Sequence, residues 1–459
     1  MTLSLKKTNY RALITLLIIR GLYTFLAVKI LSGRWYLGFG SYGVAYNWQK
    51  DIIALAFLFV ELIFANSISS SGAFNKTLLN MLFLLYFIPL NASGALNDMS
   101  YKYIVLSNCF CLLVVLAFAI QMKKSSTIID RRSDESSLFI SSISQPKIMN
   151  IFLVLCIIFI IYKISYNGFS LNLSFDAENI YSNRDDYLTY SREIGGSLFA
   201  YVLAAFRGII SYVTSIYLYL SLRNKNAIGI IVAVLTILSR FSLASSKTVL
   251  FFAIIVVYVY FRESKRSLHE MNETIRNAIL LLMVLCVIES FFSKFGLLYS
   301  YIVRRSMYVP AWLNTMYYDF FSVTNKVHWS QQAFLFQNIL PDVFSVSPLD
   351  LISQRYFAGT MPSPNTGMFA EAFMHWGVLG IFIYPIIYYF VFNFANKVYG
   401  QYGKGISIIV AVQIAIQLCN VPLTRTDCVV SFGFFTVFFW AIGKIKNMKR
   451  EEKRTKAGI

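Results

Sequence analysis

The run Ile151-Phe152-Leu153-Val154-Leu155-Cys156-Ile157-Ile158-Phe159-Ile160-Ile161 decides the fold. It lies inside a 148–167 segment whose one charge, Lys163, is near its C-terminal end. A helix of about 20 apolar residues is long enough to cross the roughly 30 Å hydrocarbon core of a bilayer. Working outward, further apolar segments appear near 11–31, 52–69, 77–95, 103–121, 195–222, 227–242, 246–261, 278–298, 372–395, 405–422 and 429–443. With 57% hydrophobic and 14% charged residues, the chain falls outside the soluble globular range. The expected fold class is an all-α polytopic membrane protein with about twelve transmembrane helices.

The net charge of +19 points to anionic lipid at a cytoplasmic face and excludes nucleic acid as the natural partner. With the N-terminus inside, the cytoplasmic segments carry 24 Lys plus Arg and the opposite side 12. That bias sets both termini inside and the long 299–371 loop outside. Lys6, Lys7 and Arg11 precede an apolar run without a small-residue cleavage site, so the first span is expected to be uncleaved. The expected organisation is spans 1–9 over 1–298, a large outer loop over 299–371, spans 10–12 over 372–443 and a basic tail over 444–459. The six cysteines have no metal-ligand spacing and read as small buried apolar residues. No metal and no cofactor is expected.

Inside the membrane, Arg207 requires a polar cavity or a partner, for which Glu289 is the deepest acid noted. Arg20, Lys29 and Lys163 are expected to snorkel toward span ends. Arg240 and Lys247, flanking Ser242, Ser245 and Ser246, suit an anion or lipid headgroups at the outer interface. Arg425 faces the same side, with Asp427 as a local partner. Asp185-Asp186 in the 168–193 loop is a weak metal motif beside Arg184, and a solvated ion pair is the plainer reading.

The 299–371 loop holds most of the chemistry. Arg304-Arg305 suits bidentate hydrogen bonding to a pyrophosphate, or anchoring to headgroups. The aromatics Tyr308, Trp312, Tyr317, Tyr318, Phe320 and Phe321 suit sugar rings or an interfacial belt. After Pro362-Ser363-Pro364, Asn365 or Thr366 is expected to cap a helix whose N-terminus offers N–H groups to an anion. Glu371 and His375, four apart, share one face of that helix. They offer proton transfer, or a Glu–His pair that orders the return of the loop; His328 is the third base candidate.

On Arg-Arg…Tyr-Val-Pro-Ala (304–311), Tyr-Tyr-Asp-Phe-Phe (317–321) and Pro-Ser-Pro-Asn-Thr-Gly…Glu-Ala…Gly-Val-Leu-Gly (362–380), the sequence resembles the O-antigen polymerase (Wzy) family. The resemblance implies a GT-C-like membrane glycosyltransferase of the bacterial inner membrane. It would polymerise undecaprenyl-pyrophosphate-linked oligosaccharide repeat units into surface polysaccharide at the periplasmic face. Donor and acceptor would both be lipid-linked, with a chain-length regulator and a flippase of the same pathway as partners. The first outer loop, Gly33 to Lys50, has no acid, which favours a metal-free scheme. Arg304 and Arg305 would then grip pyrophosphate, with Arg207, Arg240, Lys247 and Arg425 in support. Glu371 would be the base, with His375 or His328 behind it. An O-antigen ligase and a lipid-linked oligosaccharide flippase are the alternatives.

Overall fold

The structure is a computed structural model that describes residues 10–32, 43–66, 72–129, 144, 146–169, 202–203, 205–244, 248–293, 296–337, 339–359, 364 and 367–456. Among these residues the protein is helical, apart from one isolated bridge between Ala45 and Asn97. In chain order the helices are α1 (Tyr10–Leu26), α2 (Trp48–Asn66), α3 (Ala73–Leu96), α4 (Tyr101–Ile129), α5 (Pro146–Asn167), α6 (Ala205–Arg223), α7 (Ala227–Ala244) and α8 (Thr248–Arg262). They continue with α9 (Leu268–Phe292), α10 (297–323), α11 (Pro348–Phe357), α12 (Met368–Trp376), α13 (Val378–Gly400), α14 (Lys404–Leu418) and α15 (426–456).

Eight of these helices are long and apolar enough to cross a membrane. The helices over 227–242, 248–262 and 404–418 are shorter, and α2 carries Lys50, Asp51 and Glu61. The protein is therefore a multi-pass helical membrane protein. Apolar side chains such as Ile14, Ile18, Val154, Ile158 and Ile161 stay exposed because lipid, not water, is their solvent.

The chain divides into two compact units. The first comprises Met1–Asp130, His269–Phe394 and Ile414–Arg425. Its central element is α3, 94% of whose apolar window is buried. A π-helical turn, Phe83–Phe87, interrupts α3 just before Pro89. Helix α1 runs on into a second π-helical turn, Ala27–Leu31, and α10 contains a third, Ser300–Tyr308, which packs against the other two. Such turns open a helix locally and concentrate at functional sites.

Polar residues wire this unit. Arg20 does not snorkel: it is 1% exposed, donates from Nε to Asn91 Oδ1 at 2.9 Å and pairs with Asp51. Asn91 in turn donates to Asn108 Oδ1 at 2.6 Å. A buried guanidinium is tolerable only when its donors are taken up in this way. Glu289 is likewise engaged, its carboxylate accepting the N–H groups of Leu298 and Tyr299 at 3.1 and 2.8 Å. It therefore caps the start of α10. Nor is it the most enclosed acid: Glu61, in the last third of α2, is 0% exposed.

The second unit comprises Arg131–Leu268, Ala395–Gln413 and Thr426–Ile459. Here α5 packs on α7. Tyr219 donates to Glu263 at 2.6 Å, Arg223 pairs with the same carboxylate at 3.2 Å, and Lys404 donates to the Arg266 carbonyl at 2.6 Å. Gly405 lies against Tyr219 and Glu263, where a Cβ would collide with both.

The 299–371 stretch is folded rather than an open loop. Its first third is α10, whose Tyr308, Trp312, Leu313, Tyr317 and Phe321 are buried. These aromatics serve the interior of the unit and not a surface belt. At the far end, α12 stops at Gly377 (φ 57), and the spanning helix begins at Val378 rather than 372. Gly377 lets the chain reverse, so α12 folds back along the first turns of α13: His375 stacks on Tyr384 and Tyr388 donates to Glu371.

Candidate functional site

Helix α12 is pinned at both ends. Its N-cap is Gly367, with no side-chain cap. The N–H of Phe369 donates to Tyr86 Oη at 2.6 Å and that of Ala370 to Asn314 Oδ1 at 2.9 Å. The N–H groups expected to face an anion are thus consumed inside the protein. Gly367 is required by this approach, since a Cβ would lie 2.7 Å from Tyr86 Cε2 and 2.8 Å from Asn314 Nδ2. Asn365 and Thr366 lie outside the described residues.

At the other end, the turn 327–332 closes over the helix. Val327 and His328 donate their N–H groups to the carbonyls of Met374 and His375 at 3.1 and 3.2 Å. The N–H of Trp329 donates to His375 Nδ1 at 3.2 Å, which puts the imidazole proton on Nε2. Trp329 Nε1 donates to Tyr384 Oη at 3.0 Å. His328, Trp329 and Gln332 have φ of 49°, 66° and 70°. Three left-handed non-glycine residues within five positions are costly, and such strain concentrates at functional sites.

Glu371 and His375 share a helix face but do not pair with each other. Glu371 is 0% exposed and accepts from the N–H groups of Leu423 and Thr424 at 3.2 and 3.1 Å, the Thr424 hydroxyl and Tyr388 Oη. Phe334 N–H takes the Thr424 carbonyl at 2.9 Å. Glu371 therefore fixes the 421–425 turn that bears Arg425. Burial pushes its pKa up to about 7 against the pull of the Thr424, Leu423 and Tyr388 donors. Burial, with His328 nearby, pushes His375 down to about 3, so it is neutral.

Of the three base candidates, Glu371 has its oxygens engaged, His375 is 1% exposed with Nδ1 engaged, and His328 is exposed beside Trp376. His328 is the one positioned to meet a ligand. The arginine pair is placed elsewhere. Adjacent helical residues do not face each other, and in α10 Arg304 turns inward at 8% exposure while Arg305 is half-exposed. Arg304 stands about 28 Å along the helix axis from Val323, the end of α10 that leads to His328. Arg304, Arg305 and His328 thus do not converge on one point, whereas His328, Glu371, His375 and Arg425 belong to one junction. Arg207 and Arg240 belong to the second unit, and Lys247, Arg184, Asp185 and Asp186 lie outside the described residues.

Sequence reasoning missed Tyr86, Asn314, Trp329, Thr424, Tyr384 and Tyr388. Each is a neutral polar or aromatic residue in or beside an apolar run. Their only sequence signal was a hydrogen-bonding group where lipid offers none. No protein-family model matches this chain, and neither a curated protein nor a solved structure matches it.

Proposed function

We propose that the protein is a metal-independent membrane glycosyltransferase that polymerises polyprenyl-pyrophosphate-linked oligosaccharides. In this reading it is a twelve-span, GT-C-like enzyme of the bacterial inner membrane with both termini cytoplasmic. It works at the periplasmic face with a chain-length regulator and a flippase. One observation carries it: two cationic stations, Arg304-Arg305 and Arg425, are held by one packed unit, with the exposed imidazole of His328 at the same junction as the second and remote from the first. A polymerase of this kind binds two pyrophosphates at once, one on the donor chain and one on the acceptor repeat. The two are separated by the length of the acceptor oligosaccharide, which suits stations set apart by most of α10.

His328 takes the proton of the acceptor hydroxyl as that oxygen attacks the anomeric carbon of the donor. The sugar–phosphate bond breaks and its electron pair leaves on the polyprenyl pyrophosphate, whose charge Arg425 neutralises. Arg305, the open member of the first station, holds the pyrophosphate of the acceptor, which does not react, with the charge of Arg304 behind it. Purified protein given a lipid-linked repeat unit is expected to produce a ladder of polymer. His328→Gln should slow turnover by about 10²–10⁴-fold. Arg305→Ala should raise the acceptor concentration needed for half-maximal rate while sparing the rate at saturation. No polymer from the wild-type protein, or equal losses of both kinetic constants in every variant, would remove this reading.

A transporter of lipid-linked oligosaccharide is the second reading, and Glu61 favours it. A buried acid within an apolar helix is what a pathway through the bundle would contain. Flipping of a fluorescent lipid-linked sugar in proteoliposomes, without polymer, would select it.

A further inference from the structure

The segment 329–346 between α10 and α11 has the composition of a membrane-contacting surface. Its only charged residue is Asp342, and Leu335 and Ile339 are 65% and 75% exposed, with Phe336 and Leu340 also open. Exposed apolar residues this dense in an irregular segment mark an interaction site. The segment is a closed tongue. Gln331 at its root donates from Nε2 to the Phe344 carbonyl at 2.8 Å, and the Phe344 N–H donates back to Gln331 Oε1 at 3.2 Å.

Two contacts fix its level. Trp329 Nε1 donates to Tyr384 Oη, and the Trp329 ring stacks on Phe336 with centroids 5.3 Å apart. Tyr384 is six residues into the spanning helix α13, about 9 Å from its start. At the same level α13 presents Leu379, Phe382 and Ile386, each more than half exposed. These three lie on the opposite side of α13 from Tyr384, so they mark this depth of the helix as lipid-facing rather than extending the surface of the tongue itself. Four of its backbone N–H groups are also taken up within the tongue, as an apolar solvent demands. Phe336 and Gln337 donate to the Ala333 carbonyl at 3.0 and 2.9 Å, and Ile339 and Leu340 to the Phe336 carbonyl at 2.9 and 3.0 Å.

We propose that Leu335, Phe336, Ile339 and Leu340 at the tip of this tongue are immersed in the acyl chains of the bilayer, leaving Asp342 and, at the root, His328 at the boundary between lipid and water. The occupant of the apolar surface is bilayer lipid, and the inference does not depend on the reaction catalysed.

Nitroxide labels on cysteines introduced at Leu335 and Ile339, with Gln354 on α11 as the aqueous control, test it in proteoliposomes. Labels at 335 and 339 should relax strongly with oxygen and weakly with a water-soluble nickel chelate; the label at 354 should show the reverse. Nickel access at 335 and 339 equal to that at 354 would overturn the proposal. Protection from both reagents, with dipolar broadening between labels, would assign the surface to a second copy of the chain and overturn it as well. Wild-type protein gives an independent check. Lipids brominated on the acyl chain should quench a component of tryptophan emission that Trp329→Phe removes, and no loss of quenching in that variant counts against the tongue.

Discussion

Glu61 and Glu371 are equally hidden, each 0% exposed in the first unit, yet they live in opposite surroundings. Glu371 accepts from two backbone N–H groups and two hydroxyls. Both oxygens of Glu61 lack a hydrogen-bond partner among the described residues, and its titratable neighbours are the thiols of Cys109 and Cys111. A carboxylate surrounded by donors works as a structural clamp, because its removal strands the donors. A carboxyl without donors makes no such contribution to the fold and is retained at a cost. The difference separates what builds the junction from what is left over for another purpose.

The sharpest way to break this contrast is Glu371→Ala. It leaves the Leu423 and Thr424 N–H groups unsatisfied in a buried turn, each worth about 1–3 kcal/mol. A loss of about 4 kcal/mol in unfolding free energy is expected, together with loss of any activity that uses Arg425. Reversible unfolding in mixed micelles measures the first. A loss below about 1 kcal/mol would mean that the turn stands without its clamp.

Next in size is a pH effect. The pKa of Glu371 is raised from the ordinary 4.5 to about 7, so the folded state holds its proton more tightly than the unfolded chain does. Its contribution is fully present below the unfolded value and is lost as pH rises through the window between the two, by about 3 kcal/mol at most. Unfolding free energy should therefore fall across that window in the wild-type protein. Glu371→Gln should flatten the slope, and an unchanged slope would assign it to another group.

The spanning helices were legible because about 20 apolar residues in a row have one structural solution in a bilayer. Their ends were less so. Helix α9 begins at Leu268, ten residues before its apolar run, because Arg276 is drawn inside by a 3.0 Å bond to Asn80. The 299–371 stretch read as a loop because Arg304, Arg305, Asn314 and Asp319 dilute its hydropathy. Spacing carried the missed signal, since Val303, Met307, Pro310, Asn314, Tyr317 and Phe321 recur three or four apart and all are buried. At the candidate site, the sequence pointed to Glu371, His375 and His328 but not to their roles. Which carboxylate is clamped and which imidazole is open depends on Thr424 and Trp329, tens of residues away from Glu371 and His375 in the chain. Glu61 was passed over in favour of Glu289, although a lone acid between Phe59-Val60 and Leu62-Ile63 is itself a signal.

The smallest expected effect has the opposite sign and tests the other half of the contrast. Glu61→Met keeps much of the side-chain length and removes a polar group that has no hydrogen-bond partner among the described residues. Burying such a group costs about 1–3 kcal/mol in proteins, so the variant should be more stable than the wild type by about 1–2 kcal/mol. Cys109 and Cys111 on α4 are soft, polarisable neighbours that accommodate a thioether. Polymer formation should be unchanged if the protein is a polymerase, because nothing places Glu61 beside His328 or Arg425. Flipping of a lipid-linked sugar should be lost if the transport reading holds, because the ionisable group of the pathway is gone. A variant less stable than the wild type would show that Glu61 has a stabilising partner in the bilayer, and would dissolve the distinction between the two acids.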